Sequence, residues 1–307
     1  MWIWRLSAHK NSNKTKKKGY KIMTVYSYPF NLDHIDFEDF WKHFDDVQTV
    51  DIINVNSNAL INGKFSKAKV YYKVGKHTKK WRGIEPTQEE FVFQIGEHDN
   101  CHGHFINMDI TDFLWRSKVS IPYQATHFWQ APSCVDADRK KYIHKPTVEY
   151  SDKDCWPVLW GMIKGLRQFD GENLSSMGMK DWWDVEHMHW VGPEAIGHLR
   201  GLAEFQEYHQ SRFLKFIPDR DGSKGINKVI FNQGNYGALM GCYSMTATHK
   251  GDYFGFKPQK SGKVKPFVMD FWTCNGDRLV DNWCQIDMLD LWMNINTKFK
   301  KHMKGYF

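Results

Sequence analysis

Two carboxylates, Asp109 and Asp287, stand at matching points of two related phrases. Asp109 lies in FINMDITDFLW (Phe105 to Trp115) and Asp287 in WCQIDMLDLWM (Trp283 to Met293), 178 positions later. Side chains alternate along a strand, so Asp287 is expected to share a face with Trp283 and Gln285. A carboxylate enclosed by rings loses water and its pKa rises, which suits a base that removes a proton beside a carbonyl. The same position, where a strand becomes a helix and Asp290 follows three residues on, also suits an N-cap. Both readings stand for Asp287, and equally for Asp109, which is followed by Ile110-Thr111-Asp112.

Other polar groups recur with them. His77 opens HTKKWRGIEPT and His249 opens HKGDYFGFKPQ, at an offset of 172. A histidine at a strand end can orient a substrate oxygen or exchange a proton; it can equally be a core imidazole bonded to a backbone carbonyl. Glu97 and Asp270 match at an offset of 173, each inside an apolar strand. An acid there is costly to bury unpaired. It either lines a cavity or pairs with a base such as Arg212 or Arg278. His187 and His189 alternate on a short strand beside Trp190, and the tract from His98 to His104 is rich in His, Asp and Cys. The histidine pair has no evident third ligand, and the tract falls where the second copy has the turn Asn275-Gly276-Asp277, so a polar hairpin tip explains it and no metal is expected. Gly-rich phosphate loops, GxSxG and HExxH are absent from the sequence, which removes several enzyme classes.

The elements that position these residues come in two sets. In the first, Leu32 to Phe44 has helical spacing, Asn62-Gly63 marks a hairpin, and strands lead to Asp109. In the second, Trp156 to Phe169 reads as a helix with Pro157 in its first turn, followed by a short helix near Met179 to Trp183. The strand HMHWV comes next, then a long helix from Glu194 to Phe216. Strands follow near 227–232, 238–249, 264–273 and 279–286, with a final helix from about Met288. The pattern is α+β, a curved antiparallel sheet wrapping helices. The expected domains are a basic disordered leader (1–22), a reduced first domain (23–118), a Pro-punctuated linker (119–152) and a full second domain (153–307). The first domain lacks a counterpart of the HMHWVGP strand and of the helix after it. Its uncovered edges and apolar surface call for cover by its neighbour or by another subunit, so a homo-oligomer is one possibility.

Composition narrows the partners. The 307 residues are 41% hydrophobic and 16% aromatic, enough for a core in each domain. The net charge is +7, but residues 1–22 hold seven cations and no acid, so the body is neutral. A neutral body gives no nucleic-acid footprint. No stretch approaches the roughly 18 apolar residues of a membrane span. The six cysteines are scattered without a CxxC pair, as in a reducing cytoplasm.

The phrases MDFW (Met269 to Trp272), GDRLVDNWCQIDMLDL (Gly276 to Leu291), GLRQFDGENLSSMGM (Gly165 to Met179) and RGLAEFQEYHQSRFLKFIPDR (Arg200 to Arg220) resemble tandem-domain members of the SnoaL-like polyketide cyclase (ester cyclase) family, in the NTF2-like superfamily. The resemblance implies two tandem cone-shaped α+β barrels, the first reduced, with a pocket inside the second cone. It implies cofactor-free acid/base chemistry of the aldol-cyclisation, isomerisation or hydration kind on a small apolar ligand bearing a carbonyl. Asp287 matches the family's acid/base aspartate. His249 and His189 would be its polar partners, with Trp190, Tyr243, Trp283, Gln285 and Asp270 around the substrate. His77, Glu97 and Asp109 are the first-domain counterparts. A non-catalytic ligand-binding or protein-interaction module on the same fold is the alternative.

Overall fold

A computed structural model describes residues 37–61, 63–100, 103–125, 143–225, 228–241, 243–259 and 262–307. The basic leader, Met23, Asn62, His102, the His127-Phe128-Trp129 cluster and Cys101, Cys134 and Cys242 lie outside the described residues.

The first half runs α1 (Phe37–Trp41), β1 (Phe44–Ile61), β2 (Lys64–His77), β3 (Glu90–Asn100), β4 (Gly103–Met108) and α2 (Thr111–Arg116). Its four strands form an antiparallel meander in the order β1-β2-β3-β4. Strand alternation gives this sheet two apolar faces. Phe91, Phe93 and Ile95 of β3 turn toward the two helices, where Phe37, Phe40, Trp41 and Phe113 meet them. The Phe40 ring packs edge-on against Trp81 at 4.9 Å and Phe93 at 5.4 Å. Val70 and Tyr72 of β2 and Phe105 of β4 turn the other way, to the second half.

The second half opens with α3 (Trp156–Leu166) and two 3-10 turns (Leu174–Met177 and Met179–Asp181). Pro157 sits in the first turn of α3, and Val158, Leu159, Met162 and Ile163 are its buried face. Gly161 lets the turns lie close, since a Cβ there would sit 2.3 Å from the Trp182 ring. Next come β5 (His189–Val191), β6 (His198–Arg200) and α4 (Gly201–Glu204), which continues through a π turn (Phe205–Gln210) into α5 (Ser211–Phe216). The chain then adds β7 (Val229–Gln233), β8 (Tyr236–Met240), a short pair β9 (Ala247–Thr248) and β10 (Lys263–Val264), β11 (Val268–Asn275), β12 (Arg278–Ile286), α6 (Met288–Ile295) and α7 (Thr297–Met303). The main sheet has the order β6-β5-β12-β11-β8-β7, with β5 parallel to β12. The architecture is mixed α+β with open, curved sheets. No described helix is long and apolar enough to cross a membrane.

Several elements differ from the sequence expectation; the strand expected over 264–273 is split into β10 and β11, and three others differ for a local reason. The helix expected from Glu194 starts only at Gly201, because Ile196 and Gly197 both donate to the Pro193 carbonyl and Gly197 takes φ +108. That tight turn sends the chain into β6 first. The helix expected near Met179 is a 3-10 turn that follows Gly178 in the left-handed region (φ +60). The strand expected over 238–249 stops at Met240. Beyond it the Ser244 hydroxyl donates to the Val268 carbonyl (2.7 Å) and accepts from its N–H (3.1 Å), replacing ladder bonds.

The two copies of the His phrase form the same turn. Trp81 bridges Ile84 and Tyr253 bridges Phe256, with Gly83 (φ +84) and Gly255 (φ +78) in the left-handed position that favours glycine. The halves meet sheet face to sheet face. Val70, Tyr72 and Phe105 share one buried cluster with Met269, Phe271 and Trp283. Buried polar bonds cross the seam. Trp283 Nε1 donates to the Tyr72 hydroxyl (3.2 Å), Gln94 Nε2 to the Val191 carbonyl (3.4 Å) and Asn107 Nδ2 to the Gln285 carbonyl (3.4 Å). Gly96 permits the approach, as a Cβ there would lie 2.9 Å from Met269 Sδ. Residues 147 and 148, in the segment expected as a linker, strap the second sheet. The Thr147 N–H (3.0 Å) and hydroxyl (2.9 Å) both donate to Asp281, and Tyr236 donates to the Val148 carbonyl.

Candidate active site

Val268, Asp270 and Trp272 alternate with Met269 and Phe271 along β11. The first set therefore faces α3 and the second set faces the seam. On the inner side a cavity of about 130 Å³ opens between β11, β8, α3 and the residues Arg220, Gly222 and Lys228. Ile163, Leu239, Val268 and Trp272 give it apolar walls, and Asp270 is the one acid among its described lining residues. Arg167, Arg220 and Lys228 bring cations to the same wall.

Asp270 is held from β12. Its Cα partner there is Cys284, and Asn282 Nδ2 donates to Asp270 Oδ1 at 3.1 Å. Burial pushes the Asp270 carboxyl up to about 6, while the bonds from Asn282 and the Cys284 thiol and the Lys228 charge pull the other way. Burial also pushes the Cys284 thiol far up, with Asp270 adding to the effect, so it stays a protonated donor. Lys228 is shifted down by burial and donates to the Gly222 carbonyl at 3.2 Å. Arg220 is pushed down to about 10 by burial, donates to the Leu166 carbonyl at 2.9 Å and lies over the Phe169 ring. At about 10, Arg220 remains a cation at neutral pH. The arrangement sets a base that ionises near pH 6 beside positive charge, inside an apolar pocket. This is what removing a proton next to a carbonyl requires.

The other residues singled out from the sequence lie elsewhere. Asp287 Oδ1 accepts from the Asp290 N–H at 2.9 Å and caps α6. Its pKa is pushed to about 6, by burial and by the charge of Asp109. Asp109 stands one residue before the N-cap of α2, Ile110, and accepts from the Thr111 N–H (2.9 Å) and hydroxyl (2.7 Å). Its second oxygen reaches across the seam to the Glu194 N–H at 2.7 Å. Trp283 and Gln285 are on the seam face of β12, opposite to Asn282 and Cys284. His189 lies at the edge of that face with Nδ1 3.3 Å from Asp281. Trp190 points into the core and stacks on His209 at 4.3 Å. His249 is buried against Phe216, and burial lowers its pKa. His77 is likewise lowered by burial; its Nδ1 accepts from the Thr87 N–H, and its ring lies against Phe44 and Phe113. Tyr243 precedes the cavity residue Ser244, with Lys265 over its ring at 4.8 Å.

Glu97 and Asp270, matched in sequence, have opposite surroundings. Glu97 is paired, with Lys69 Nζ at 3.0 Å and His104 Nε2 at 3.4 Å. Asp270 faces a cavity. The bases expected beside them are elsewhere. Arg278 donates to the Asp181 carbonyl, and Arg212 lies on α5. The tract near His98 is tied locally, with His98 Nδ1 against the Lys67 carbonyl and His104 Nδ1 against Asp99. Among the described residues no three His, Cys, Asp or Glu side chains converge as a metal site.

Sequence reasoning missed Lys228, Arg220, Asn282 and Cys284. For the last two a signal exists: once β11 and β12 are paired, Asp270 opposite Cys284 fixes which parity of β12 faces inward. For Lys228 and Arg220 no local pattern marks them, because they reach the cavity from a loop.

No protein-family model matches the sequence, and no curated protein does. Solved structures do. AclR, a candidate hydroxylase from Streptomyces galilaeus, is 18% identical, with 46% of this chain and 97% of that one covered at a TM-score of 0.36. A candidate SnoaL-like polyketide cyclase from Jannaschia sp. CCS1 is 15% identical, covering 47% and 96% at 0.35. A candidate polyketide cyclase from Acidithiobacillus ferrooxidans is 20% identical, covering 44% and 94% at 0.33. Each is covered almost completely while spanning under half of this chain.

Proposed function

We propose that the chain is a tandem pair of SnoaL-like cones, the first reduced and filled by its own aromatic residues. The second binds a small carbonyl-bearing apolar ligand and carries out cofactor-free acid/base chemistry on it. The observation that carries this reading is the Asp270 carboxyl on the cavity wall, raised to about 6 by burial and facing cations. In the reaction, the ionised Asp270 carboxylate takes a proton from the carbon next to the carbonyl. The C–H electron pair moves into an enolate, whose oxygen is stabilised by Lys228 or Arg220. The protonated Asp270 then returns the proton to the enolate carbon; or the enolate carbon attacks a second carbonyl of the same molecule and closes a ring, the C=O π pair moves to oxygen, and Asp270 gives its proton to the resulting alkoxide. Either way the carboxylate is regenerated.

The cavity sets the size of the ligand. A dry cavity of about 150 Å³ takes benzene, so about 130 Å³ suits one small ring or a short chain. This assignment moves the acid/base role from Asp287 to Asp270 and gives Asp287 the capping role, the other reading of its sequence position. The test fills the cavity. Leu239→Trp should abolish calorimetrically measured binding of cyclohexane-1,3-dione while the fold survives. Unchanged binding in that variant would place the ligand elsewhere. Binding without turnover in the wild type would make the second cone a binding module.

A further inference from the structure

The second half holds another cavity, of about 260 Å³, on the outer side of the α4–α5 helical run. It shares no lining residue with the Asp270 cavity. We propose that it is a binding site for an aromatic carboxylate, an inference independent of the chemistry assigned to Asp270.

Tyr208, Arg212 and Lys215 point the same way, because they follow one another at steps of four and three residues on consecutive helical turns. The π turn Phe205–Gln210 carries Tyr208 into this row; such turns occur frequently at functional sites. The Arg212 guanidinium lies over the Tyr208 ring at 5.6 Å. Among the described residues, neither Arg212 nor Lys215 has a carboxylate partner. The acid on the cavity wall, Asp252, is already engaged by Lys257 Nζ (2.8 Å) and by the Gly255 N–H (3.0 Å). The site therefore carries net positive charge. His209 adds none, since burial pushes its pKa down to about 3 and its ring is stacked on Trp190.

Apolar surface faces these cations. Ile196 and Phe254 line the cavity, and Tyr253 forms part of its wall. The Tyr253 hydroxyl is buried and has no hydrogen-bond partner among the described residues, with the Arg212 charge acting on it. A hydroxyl in that state lacks an acceptor, which a carboxylate oxygen supplies. The volume is roughly twice that of a cavity holding one ring, so a fused pair of rings fits.

The test is calorimetric titration with 2-naphthoate, with the neutral 2-naphthamide as the uncharged comparison. Arg212 and Lys215 are exposed at the cavity mouth, so the double variant Arg212→Gln/Lys215→Gln should keep the wild-type melting temperature. The expected result is one saturable naphthoate site, weakened at least about tenfold in the double variant, for the amide, and at high salt. Lys228→Gln, in the other cavity, should leave naphthoate binding unchanged. Wild-type affinity in the double variant, equal binding of the amide, or no saturation would overturn the proposal. Loss of binding in Lys228→Gln alone would overturn it by moving the anion to the Asp270 cavity.

Discussion

Trp283 was expected from sequence to wall a pocket, and the fold turns it into the seam, so replacing it should cost stability and spare ligand binding. The side chain is fully buried, and its Nε1 donates to the Tyr72 hydroxyl of the other half at 3.2 Å. Trp283→Phe removes a ring's worth of packing and one hydrogen bond. The lost atoms leave a void on the order of 40 Å³, which at ~24 cal/mol per Å³ costs ~1 kcal/mol, and their transfer term adds ~1 kcal/mol. The lost hydrogen bond adds ~1 kcal/mol, for a total of ~3 kcal/mol. Tyr72→Phe alone should cost ~1 kcal/mol, and the double variant should fall short of the sum by about that amount, because the shared bond is lost only once. Urea unfolding of the four proteins measures these differences, and calorimetry with cyclohexane-1,3-dione measures binding. Strict additivity, or a loss in Trp283→Phe below ~0.5 kcal/mol, would refute the seam as described. Weakened ligand binding with stability intact would return Trp283 to the pocket.

Further outcomes follow from the same structure. Asp287→Asn should cost under ~1 kcal/mol and Asp287→Ala ~1–2 kcal/mol in urea unfolding, the signature of a cap. Asp281 is buried and receives bonds from Thr147 on the strap and from the Thr273 hydroxyl, with His189 beside it. Asp281→Ala should cost ~3–5 kcal/mol, because Thr273 stays buried without its acceptor, and should expose the strap to limited proteolysis. Because Asp270 is raised from 3.8 to about 6, kcat/KM should rise with pH through about 6 and be lost below it. Its effect on stability has the opposite sign. A raised folded pKa stabilises fully below the unfolded value and loses that contribution as pH climbs through about 6. Relative to Asp270→Asn, the wild type should therefore weaken by on the order of 2 kcal/mol between pH 4 and pH 7 in chemical denaturation. Dialysis against a chelator should leave turnover unchanged; a loss restored by added metal would contradict the cofactor-free reading.

The duplicated His turn was legible in the chain, because a glycine at a fixed distance from an aromatic residue survives as a physical requirement. Gly83 and Gly255 take the same left-handed conformation, and Trp81 and Tyr253 close the same bridge. The mid-strand acids were legible as a pair but not as different, since sequence position sets which face Glu97 and Asp270 share and not what lies across from it. Lys69 and His104 reach Glu97 from neighbouring strands, while Asp270 meets a cavity whose cations come from a loop. Reading Asp287, Trp283 and Gln285 as one face was sound geometry, but both faces of this sheet are buried, so apolarity could not say which one holds a ligand. Nor could the sequence show that the helix after β5 waits for Gly201, because Glu194 to Phe216 keeps helical character throughout. The Pro193 turn overrides that propensity.

The proposal that Asp270 is the base is tested by exchange of the α-protons of cyclohexanone with solvent deuterium, followed by proton NMR at pH 7 for the wild type, Asp270→Asn and Asp287→Asn. Catalysed exchange is expected in the wild type and in Asp287→Asn, and exchange at the uncatalysed rate in Asp270→Asn. Exchange at the wild-type rate in Asp270→Asn, or its loss in Asp287→Asn with that protein folded, would contradict it.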